Sequence, residues 1–397
     1  GFANEALWPL CHIAYTRPEF DSSDWKHYRD VNRKFADAVL DEVRGRPAVV
    51  FVQDYHFALL PRMLKSARPD LVVAQFWHIP WPNREAFRVC PWQAELLDGL
   101  LGNDLLSFHI QYHCNNFLET VDRALESRVD WEQFSVTRAG VTTEVRPHPI
   151  SIAPEVVASR LPPNLEYAEF RLRKQLGIGD EPILVGVDRA DYTQGIPERL
   201  RAVDRLLTLF PEMKGEFVLV QIAAPSRLNI GSYTRLNQEI ESLVAEINWR
   251  HRTDLWQPIV LLNEHRPHEQ IYALYRISAG CVVSSLHDGT NLVAKEFVAA
   301  RTDGRGVLVL SPFAGAAHEL RDAVQVNPFD TDGLARALRA ALAMPAEEQE
   351  RRMRRMRQQV EDNNIYRWAG KLLGDLGEFV HAPQATGTLA QEFSTAS

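Results

Sequence analysis

Short, almost wholly apolar segments alternate with helical segments along most of this chain, and this alternation restricts the fold more than any other feature. Segments that are apolar at nearly every position are typical of parallel strands buried on both faces of a sheet. Strand and helix repeated in this order predict an open α/β sheet with right-handed crossovers. We assign strands to residues 49–52, 71–76, 105–108, 183–187, 217–222, 259–262, 281–283, 307–310 and 324–326, and the clearest helices to residues 30–43, 198–209, 234–248 and 332–343.

The length and the proline distribution predict two domains. A chain of 397 residues exceeds what one hydrophobic core usually supports. Prolines interrupt the alternation around residues 151–180, and we predict a hinge near residue 155. The predicted fold is therefore α/β, with two Rossmann-like domains facing a cleft and a C-terminal helix that crosses back to the first domain. The predicted ranges are 1–155 for the first domain, 156–345 for the second, 346–380 for the crossover helices and 381–397 for a disordered tail.

The composition excludes several classes of partner. A net charge of −8 and a pI near 5.9 argue against a nucleic acid or an anionic membrane. No apolar run approaches the ~20 residues that a membrane span needs. The four cysteines lack the spacing of metal ligands, and we expect free thiols in a cytoplasmic protein. Small-molecule substrates are the expected partners, and self-association into a homo-oligomer is left open.

The segment 287–296 combines a turn, a helix start and several polar side chains. It follows the apolar strand 281–283, and its Asp288-Gly289 turn precedes a helical sequence. The N-terminus of a helix offers unpaired N–H groups that stabilise a phosphate. The side chains of Asp288, Asn291 and Glu296 are suited to sugar hydroxyls. Phosphate and polyol recognition on one turn predicts a nucleotide-sugar site.

Two arginines follow other predicted strands, at the ends where α/β sheets bind ligands. Arg189 follows the strand 183–187, and Arg227 follows the strand 217–222. Two interpretations of Arg189 stay open: a bidentate contact with a diphosphate, and a structural ion pair with a neighbouring aspartate.

The first half of the chain places an acid and a histidine at neighbouring strand ends. Asp54 follows the strand 49–52, and His78 follows the strand 71–76. Either side chain is suited to holding a sugar hydroxyl or moving a proton, since histidine titrates near neutral pH. Trp8 is interpreted either as a surface that stacks on a sugar ring or as a core aromatic.

Motifs of several other enzyme classes are missing from the sequence. It has no P-loop, no Gly-x-Gly-x-x-Gly turn and no nucleophile elbow, and no His/Cys spacing suggests a metal. We therefore expect no metal and no cofactor, only a nucleotide-sugar co-substrate. Arginines and helix dipoles would then stabilise a leaving diphosphate.

A set of motifs in a fixed order gives the chain a family resemblance. The motifs are residues 7–9, 53–56, 78–80, 186–199, 225–227, 288–296, 313–317, 326–330 and 364–368. With them the sequence resembles trehalose-6-phosphate synthases from residue 1 to about residue 376. The resemblance implies the GT-B fold and a retaining, metal-independent glycosyltransferase. It also implies transfer of glucose from UDP-glucose to glucose 6-phosphate, giving trehalose 6-phosphate.

The resemblance further implies roles for donor-binding residues. Arg189 would hold the diphosphate, and Asp288 the hydroxyls of the donor sugar. Asn291 and Leu292 would present amide and backbone groups to sugar and phosphate, and Glu296 would bind the ribose diol.

On the acceptor side, the resemblance implies that Asp54 and Trp8 meet the acceptor sugar and that Arg227 meets its phosphate. His78 would lie by the reacting centre. The residues expected to take part in catalysis are Asp54, His78, Arg189 and Asp288.

The chain departs from the family pattern in three places. Gln194 occupies a donor-binding position where the family has lysine, and such a contact is worth roughly 10²–10³ in rate. His287 stands where arginine is usual. The family has an N-terminal Gly-rich loop and arginine before the position of Gly1, so we expect a chain truncated at its start, with an incomplete first domain. Two alternatives follow: a glucosylglycerol-phosphate synthase with glycerol 3-phosphate as acceptor, and a catalytically silent homologue that binds sugar phosphates.

Overall fold

The computed structural model describes residues 1–227 and 229–381, which form two compact units with a six-stranded sheet in each. The first unit contains Gly1–Trp8, Pro18–His148 and the last helix from Ala369 onward. The second contains Pro9–Arg17 and Pro149–Trp368. Of the predicted tail, residues 382–397 lie outside the described residues.

The sheet of the first unit is mixed. Its order is β1-β2-β3-β6-β5-β4. The neighbours within β1-β2-β3-β6 pair in parallel, and β5 pairs antiparallel with both β6 and β4. The strands are β1 Val49–Gln53, β2 Val72–Phe76, β3 Leu105–Phe108, β4 Arg128–Asp130, β5 Ser135–Arg138 and β6 Val141–Pro147, and the helices are α1 Trp8–His12, of which only Trp8 belongs to this unit, α2 Ser22–Val43, α3 Leu60–Ala67, α4 Arg84–Phe87, α5 Gln93–Leu100 and α6 Gln111–Ala124.

The sheet of the second unit is wholly parallel, with the order β12-β11-β10-β7-β8-β9. When β7 is numbered as strand 1 and the sheet is read from β9 to β12, this is the Rossmann order 3-2-1-4-5-6. The strands are β7 Ile183–Arg189, β8 Val218–Ala224, β9 Ile259–Leu262, β10 Gly280–Val283, β11 Val307–Leu310 and β12 Val324–Gln325, and the helices are α7 Pro154–Ser159, α8 Leu165–Leu176, α9 Ile196–Leu209, α10 Gly231–His251, α11 His268–Ile277, α12 Leu292–Ala300, α13 Thr331–Leu342 and α14 Ala346–Asp362.

The last helix, α15 Ile365–His381, begins in the second unit and continues in the first. Within the first unit, Asp375 on this helix accepts hydrogen bonds from Arg146 (3.0 Å) and His148 (2.9 Å), at the end of β6. These contacts confirm the prediction that a C-terminal helix crosses back to the first domain.

All nine predicted strands are present, and the α/β fold with two Rossmann-like domains is confirmed. The prediction missed β4, β5 and β6. Their polar, partly exposed sequences differ from the continuous apolar runs that identify buried parallel strands. The long segment of the first unit ends at His148, ahead of the expected hinge near residue 155, and the predicted domain ranges stay predictions.

The four cysteines are buried free thiols, as predicted. Among the residues that the structure describes, no helix has both the length and the apolar character needed to cross a membrane.

Candidate functional site

Two polar loops of the second unit meet at the switch point of its sheet. Strands β7 and β10 are adjacent and parallel, and the strands that follow each of them lie on opposite sides. Ligands of open α/β sheets bind at the carboxyl ends of strands at such a point. Arg189 is the last residue of β7, the loop after β7 carries Gln194, and the loop after β10 carries Asp288. The topology therefore brings together segments that are about a hundred residues apart.

The backbones of these two loops are in close contact at Gly195. A short 3-10 helix, Tyr192–Gln194, follows β7 and ends at Gly195, which has the left-handed φ of 64°. A Cβ at this position would lie 2.1 Å from the carbonyl oxygen of Ser284, so only glycine fits. The Ser284 hydroxyl donates to the carbonyl of Gly195 (2.7 Å). The position of Gln194 is thus tied to the loop that follows β10.

The Asp288-Gly289 turn is bonded to the loop after β11. The Asp288 N–H donates to the carbonyl of Phe313 (3.1 Å), and the Gly315 N–H donates to the carbonyl of Asp288 (3.1 Å). A Cβ on Gly315 would lie 2.0 Å from the Gly289 oxygen. Main-chain contacts on both sides hold this turn in place.

Hydrogen bonds surround the carboxylate of Asp288. It accepts from the backbone N–H of Thr290 (3.3 Å) and the side-chain amide of Asn291 (3.2 Å). Burial raises the pKa of Asp288, and the bonds from Thr290, Asn291 and Gln194 together with the charge of Arg189 oppose that rise. The predicted donor residues thus act on one carboxyl group.

Asn291 caps the helix α12. Its side-chain oxygen accepts from the backbone N–H of Ala294 (3.1 Å), and its amide donates to the Ser285 hydroxyl (3.3 Å). Leu292 is the first residue of α12, so its backbone lies at the positive end of the helix. This arrangement suits a phosphate or a polyol.

Glu296 lies one turn further along α12. Burial raises its pKa to about 7, and a hydrogen bond from Tyr272 opposes the rise. A carboxyl group that changes charge near neutral pH therefore lies in the predicted ribose site.

Gln194 lies among the predicted donor residues although it carries no charge. Its amide oxygen accepts from the Ser285 hydroxyl (3.3 Å), and its amide nitrogen donates to the Thr193 hydroxyl (3.2 Å). An amide side chain at this position offers hydrogen bonds but not the positive charge that the family pattern has here.

The aspartates beside Arg189 have partners of their own. Asp188 is bound by Arg199 (2.5 Å), a fully buried arginine on α9. Asp191 accepts from the Tyr233 hydroxyl (3.0 Å). Arg189 is exposed at the end of β7, where its charge acts on Asp288. Both interpretations of Arg189, the diphosphate contact and the structural ion pair, stay predictions.

His287 precedes the Asp288 turn and donates from Nδ1 to the carbonyl of His12 (2.7 Å), in the N-terminal segment that belongs to the same unit. Burial lowers the pKa of His287, and the contact with His12 and the charge of Asp288 oppose that change. A neutral histidine thus takes the place of the arginine that is usual there.

In the first unit, Asp54 and His78 lie together at the ends of β1 and β2. The Asp54 N–H donates to the carbonyl of Phe76 (2.8 Å). The Asp54 carboxylate accepts from the N–H groups of Tyr55 (2.8 Å) and His78 (3.3 Å). The prediction that these two residues fall on neighbouring strand ends is confirmed.

The ring of His78 is oriented by Gln53. Nε2 lies 2.8 Å from the side-chain oxygen of Gln53, which only accepts, so Nε2 carries the proton. Burial lowers the pKa of His78, and the charge of Asp54 opposes the change. His109 donates to the His78 carbonyl (3.0 Å). His78 is therefore neutral at pH 7 and presents a fixed ring.

Trp8 is only 6% exposed, and its ring centroid lies 5.8 Å from that of Tyr55, next to Asp54. Tyr55 donates in turn to the side chain of Asn4 (3.1 Å). Trp8 packs against the residue that follows Asp54, and its contact with a sugar stays a prediction.

Arg227 lies in the second unit, whereas the other predicted acceptor residues lie in the first. It follows the end of β8 and donates to the Tyr233 hydroxyl (2.6 Å).

Strained backbone coincides with the predicted site. Eight non-glycine residues of the described chain have φ in the left-handed region, and three of them are Asp54, Arg227 and Asn291. Such strain costs about 1–3 kcal/mol and concentrates at functional sites. The coincidence supports functional roles for these three residues.

The sequence alone left four contributors without a role. Gln53 orients His78, Ser285 bonds Gln194 and Asn291, Arg199 binds Asp188, and Tyr233 joins Arg227 to Asp191. Gln53 and Arg199 lie in the motifs 53–56 and 186–199, but no role was assigned to either. Ser285 and Tyr233 lie in none of the motifs and act through contacts with other loops.

Within residues 1–227 and 229–381, no group of three or more histidine, cysteine, aspartate or glutamate side chains is arranged to hold a metal ion.

Comparison with known sequences identifies the family. The sequence model of glycosyltransferase family 20 matches residues 1–378. The trehalose-6-phosphate synthase of Mycobacterium leprae (strain TN) is 41% identical over 387 residues, covering 95% of this chain and 77% of the relative.

Solved structures give the same result. The α,α-trehalose-phosphate synthase (UDP-forming) of Burkholderia xenovorans, solved in complex with glucose 6-phosphate, has a TM-score of 0.89 and 32% identity. The match covers 95% of this chain and 84% of that one. A trehalose-6-phosphate synthase studied with bisubstrate glycomimetics for glycosyl transfer with retention matches equally well, at 32% identity over 95% of this chain and 84% of that one, with a TM-score of 0.89.

Proposed function

The chain belongs to glycosyltransferase family 20, and we propose that it transfers glucose from UDP-glucose to glucose 6-phosphate, with retention, to give trehalose 6-phosphate. The UDP-forming Burkholderia xenovorans synthase with bound glucose 6-phosphate supports both substrates. The Mycobacterium leprae relative supports the same reaction at higher identity.

One observation in this chain carries the proposal: the Asp288 turn and the N-terminus of α12 lie at the switch point of a Rossmann sheet, beside Arg189. A helix N-terminus stabilises a phosphate, and a partly buried carboxyl group bonded by Asn291 suits the hydroxyls of a hexose. Glu296, one turn away, would bind a ribose diol. The three parts of a nucleotide-sugar thus have complementary groups on one element.

The mechanism follows from what the site offers. In a front-face reaction, the bond between the glucose C1 and the diphosphate oxygen breaks as the acceptor hydroxyl attacks from the same side. The leaving phosphate oxygen takes the acceptor's proton. Arg189 and the positive end of α12 would stabilise the departing diphosphate, and Asp54 and the neutral ring of His78 would orient the sugars.

We further propose that this reaction needs no metal ion and no cofactor. Helix N-terminal N–H groups and arginine side chains supply the positive potential that a metal would otherwise provide. Gln194 makes this potential weaker than in the family pattern. Activity is therefore expected to be lower than with lysine at this position rather than absent.

The test is a substrate matrix. UDP-glucose, ADP-glucose and GDP-glucose are each supplied with glucose 6-phosphate or glycerol 3-phosphate, with and without EDTA, and nucleoside diphosphate release and product are measured. We expect turnover with UDP-glucose and glucose 6-phosphate that EDTA does not change. Asp288→Asn serves as the inactive control.

Other outcomes identify the alternatives. Turnover only with glycerol 3-phosphate would make the protein a glucosylglycerol-phosphate synthase. Binding of sugar phosphates without turnover would make it a silent homologue, an alternative favoured by the uncharged Gln194.

The four buried thiols support a cytoplasmic location, since reducing compartments keep cysteines unpaired.

A further inference from the structure

The side chain of Tyr233, on α10, joins two loops of the proposed site. Its hydroxyl donates to the Asp191 carboxylate (3.0 Å) and accepts from Nη1 of Arg227 (2.6 Å). The guanidinium also lies over the tyrosine ring, 5.5 Å from its centroid. Arg227 and Asp191 themselves approach only to 3.9 Å, so the hydroxyl makes the shorter contact with each.

Asp191, Tyr233 and Arg227 thus form a hydrogen-bonded relay, and its Asp191 end is fixed. Its carboxylate is fully buried and accepts from both the N–H and the hydroxyl of Thr193, each at 3.0 Å. The Gln194 N–H donates to the Asp191 carbonyl (3.0 Å). Asp191 therefore begins the short helix that carries Gln194 into the donor site.

The Arg227 end of the relay is held under strain. Arg227 has φ of 46°, a conformation that costs free energy in a residue with a Cβ. Its carbonyl accepts from the N–H of Ile230 (2.9 Å), the residue just before α10. The Tyr233 hydroxyl, on the first turns of that helix, is one of the contacts that set the direction of the guanidinium.

We propose that Tyr233 is a positioning residue: its hydroxyl, anchored on Asp191, orients Arg227 toward the acceptor's phosphate and joins that contact to the loop that carries Gln194. The five N–H groups of a guanidinium lie in one plane, so fixing one of them directs the others. This inference rests on the proposed function, in which Arg227 binds the acceptor phosphate.

A purely structural Tyr233 would behave differently. The residue is fully buried and its ring packs against Tyr192, with centroids 5.4 Å apart. Tyr233→Phe keeps the ring and removes only the hydroxyl. If the ring alone matters, this variant retains its affinity for the acceptor.

The experiment compares Tyr233→Phe with Tyr275→Phe. Tyr275 is also fully buried in the second unit, and among the described residues its hydroxyl has no hydrogen-bond partner. Steady-state kinetics give kcat and KM for glucose 6-phosphate, and thermal melting checks folding. We expect Tyr233→Phe to raise this KM about tenfold, with kcat within about threefold, because a hydrogen bond to a charged group is lost. Tyr275→Phe should keep the wild-type KM.

Two further variants complete the test. In Arg227→Ala, adding Tyr233→Phe should raise KM no further, because the relay then has nothing to orient. Asp191→Asn removes the charge at the far end and should also raise KM, which keeps the inference testable if Tyr233→Phe fails to fold.

The possible outcomes distinguish a failure of the relay from a failure of the proposed function. An active wild type whose KM is the same in Tyr233→Phe and Tyr275→Phe overturns the relay alone, as does a full additional effect in the Arg227→Ala background. A wild type that uses glycerol 3-phosphate overturns the proposed acceptor, and the relay is then tested on the KM for that phosphate. A wild type without turnover but with calorimetric binding of either phosphate moves the test to Kd. Binding of neither phosphate overturns both.

Discussion

The two units hold their candidate site residues by different means. In the second unit, the partly buried Asp288 carboxylate accepts from the Thr290 N–H and from the side-chain amide of Asn291, and the loops around it touch through glycines that admit no Cβ. In the first unit, the Asp54 carboxylate accepts from main-chain N–H groups at strand ends, and its side chain is likewise partly exposed, at 28%. The second unit therefore holds its carboxylate between tightly packed loops and beside a side-chain donor, and the first unit holds its carboxylate at main-chain donors.

The largest effect should come from replacing the two aspartates. Asp288→Asn removes the charge from the enclosed site and should lower kcat about 10³-fold, because preorganised charge stabilises the transition state. Asp54→Asn should act mainly on KM for glucose 6-phosphate. Steady-state kinetics of both variants check this, and equal losses of kcat would contradict the contrast between the units.

The second largest effect should come from adding a side chain at Gly195, where the two loops are in contact. Gly195→Ala places a methyl group against the Ser284 carbonyl and should lower the free energy of unfolding by roughly 2–3 kcal/mol, with a loss of activity. The matched control is Gly177→Ala: Gly177 has nearly the same φ, 66°, but nothing lies within 4 Å of its added Cβ. Its cost should be only about 1 kcal/mol. Similar denaturation midpoints for the two variants would refute the close-packing argument.

A gain is expected from Gln194→Lys. The new cation would lie beside Asp288 and the leaving diphosphate, and it should raise kcat about tenfold or more. Gln194→Met, of similar length and without charge, should lower it. Turnover measured at saturating substrates decides, and an unchanged rate in the lysine variant would show that Gln194 does not limit catalysis.

The smallest effect is a pH dependence confined to the second unit. The pKa of Glu296 is raised to about 7, so the carboxylate that accepts from ribose hydroxyls predominates only above that pH. The donor kcat/KM should fall as pH drops, to about a tenth of its plateau at pH 6. The lowered pKa of His78 makes this histidine less protonated than a free imidazole in the same range.

Glu296→Gln is the control for that pH dependence. It should flatten the profile between pH 6 and 8 while lowering the plateau. Burial also makes the folded state favour protonated Glu296, so this group's contribution to stability is lost as pH rises from about 4.5 to about 7. A profile that keeps its slope in Glu296→Gln would assign the titration to another group.

Much of the fold was predictable because buried parallel strands have continuous apolar sequences. The strands β7 to β12 were all found, and their order places Asp288 and Arg189 at one switch point. The strands β4 to β6 were missed because they are partly exposed and largely polar. A pattern search for apolar runs does not detect such strands.

The candidate site was predictable only where a motif is contiguous. Asp288 to Glu296 lie on one turn and one helix, so their chemistry is visible in the sequence. Gln194 is bonded by Ser285, and Arg227 by Tyr233. Both partners come from other segments, and no local sequence pattern indicates them.

The sequence by itself determined the family, the nine apolar strands and the chemical character of each strand-end loop. These features depend on periodicity and on short-range order, which a linear chain carries in full. Only the tertiary structure decided which charges are buried, which carboxyl groups titrate near neutral pH and which side chain orients Arg227. Such properties arise from desolvation and from contacts between distant segments, and these exist only once the chain has folded.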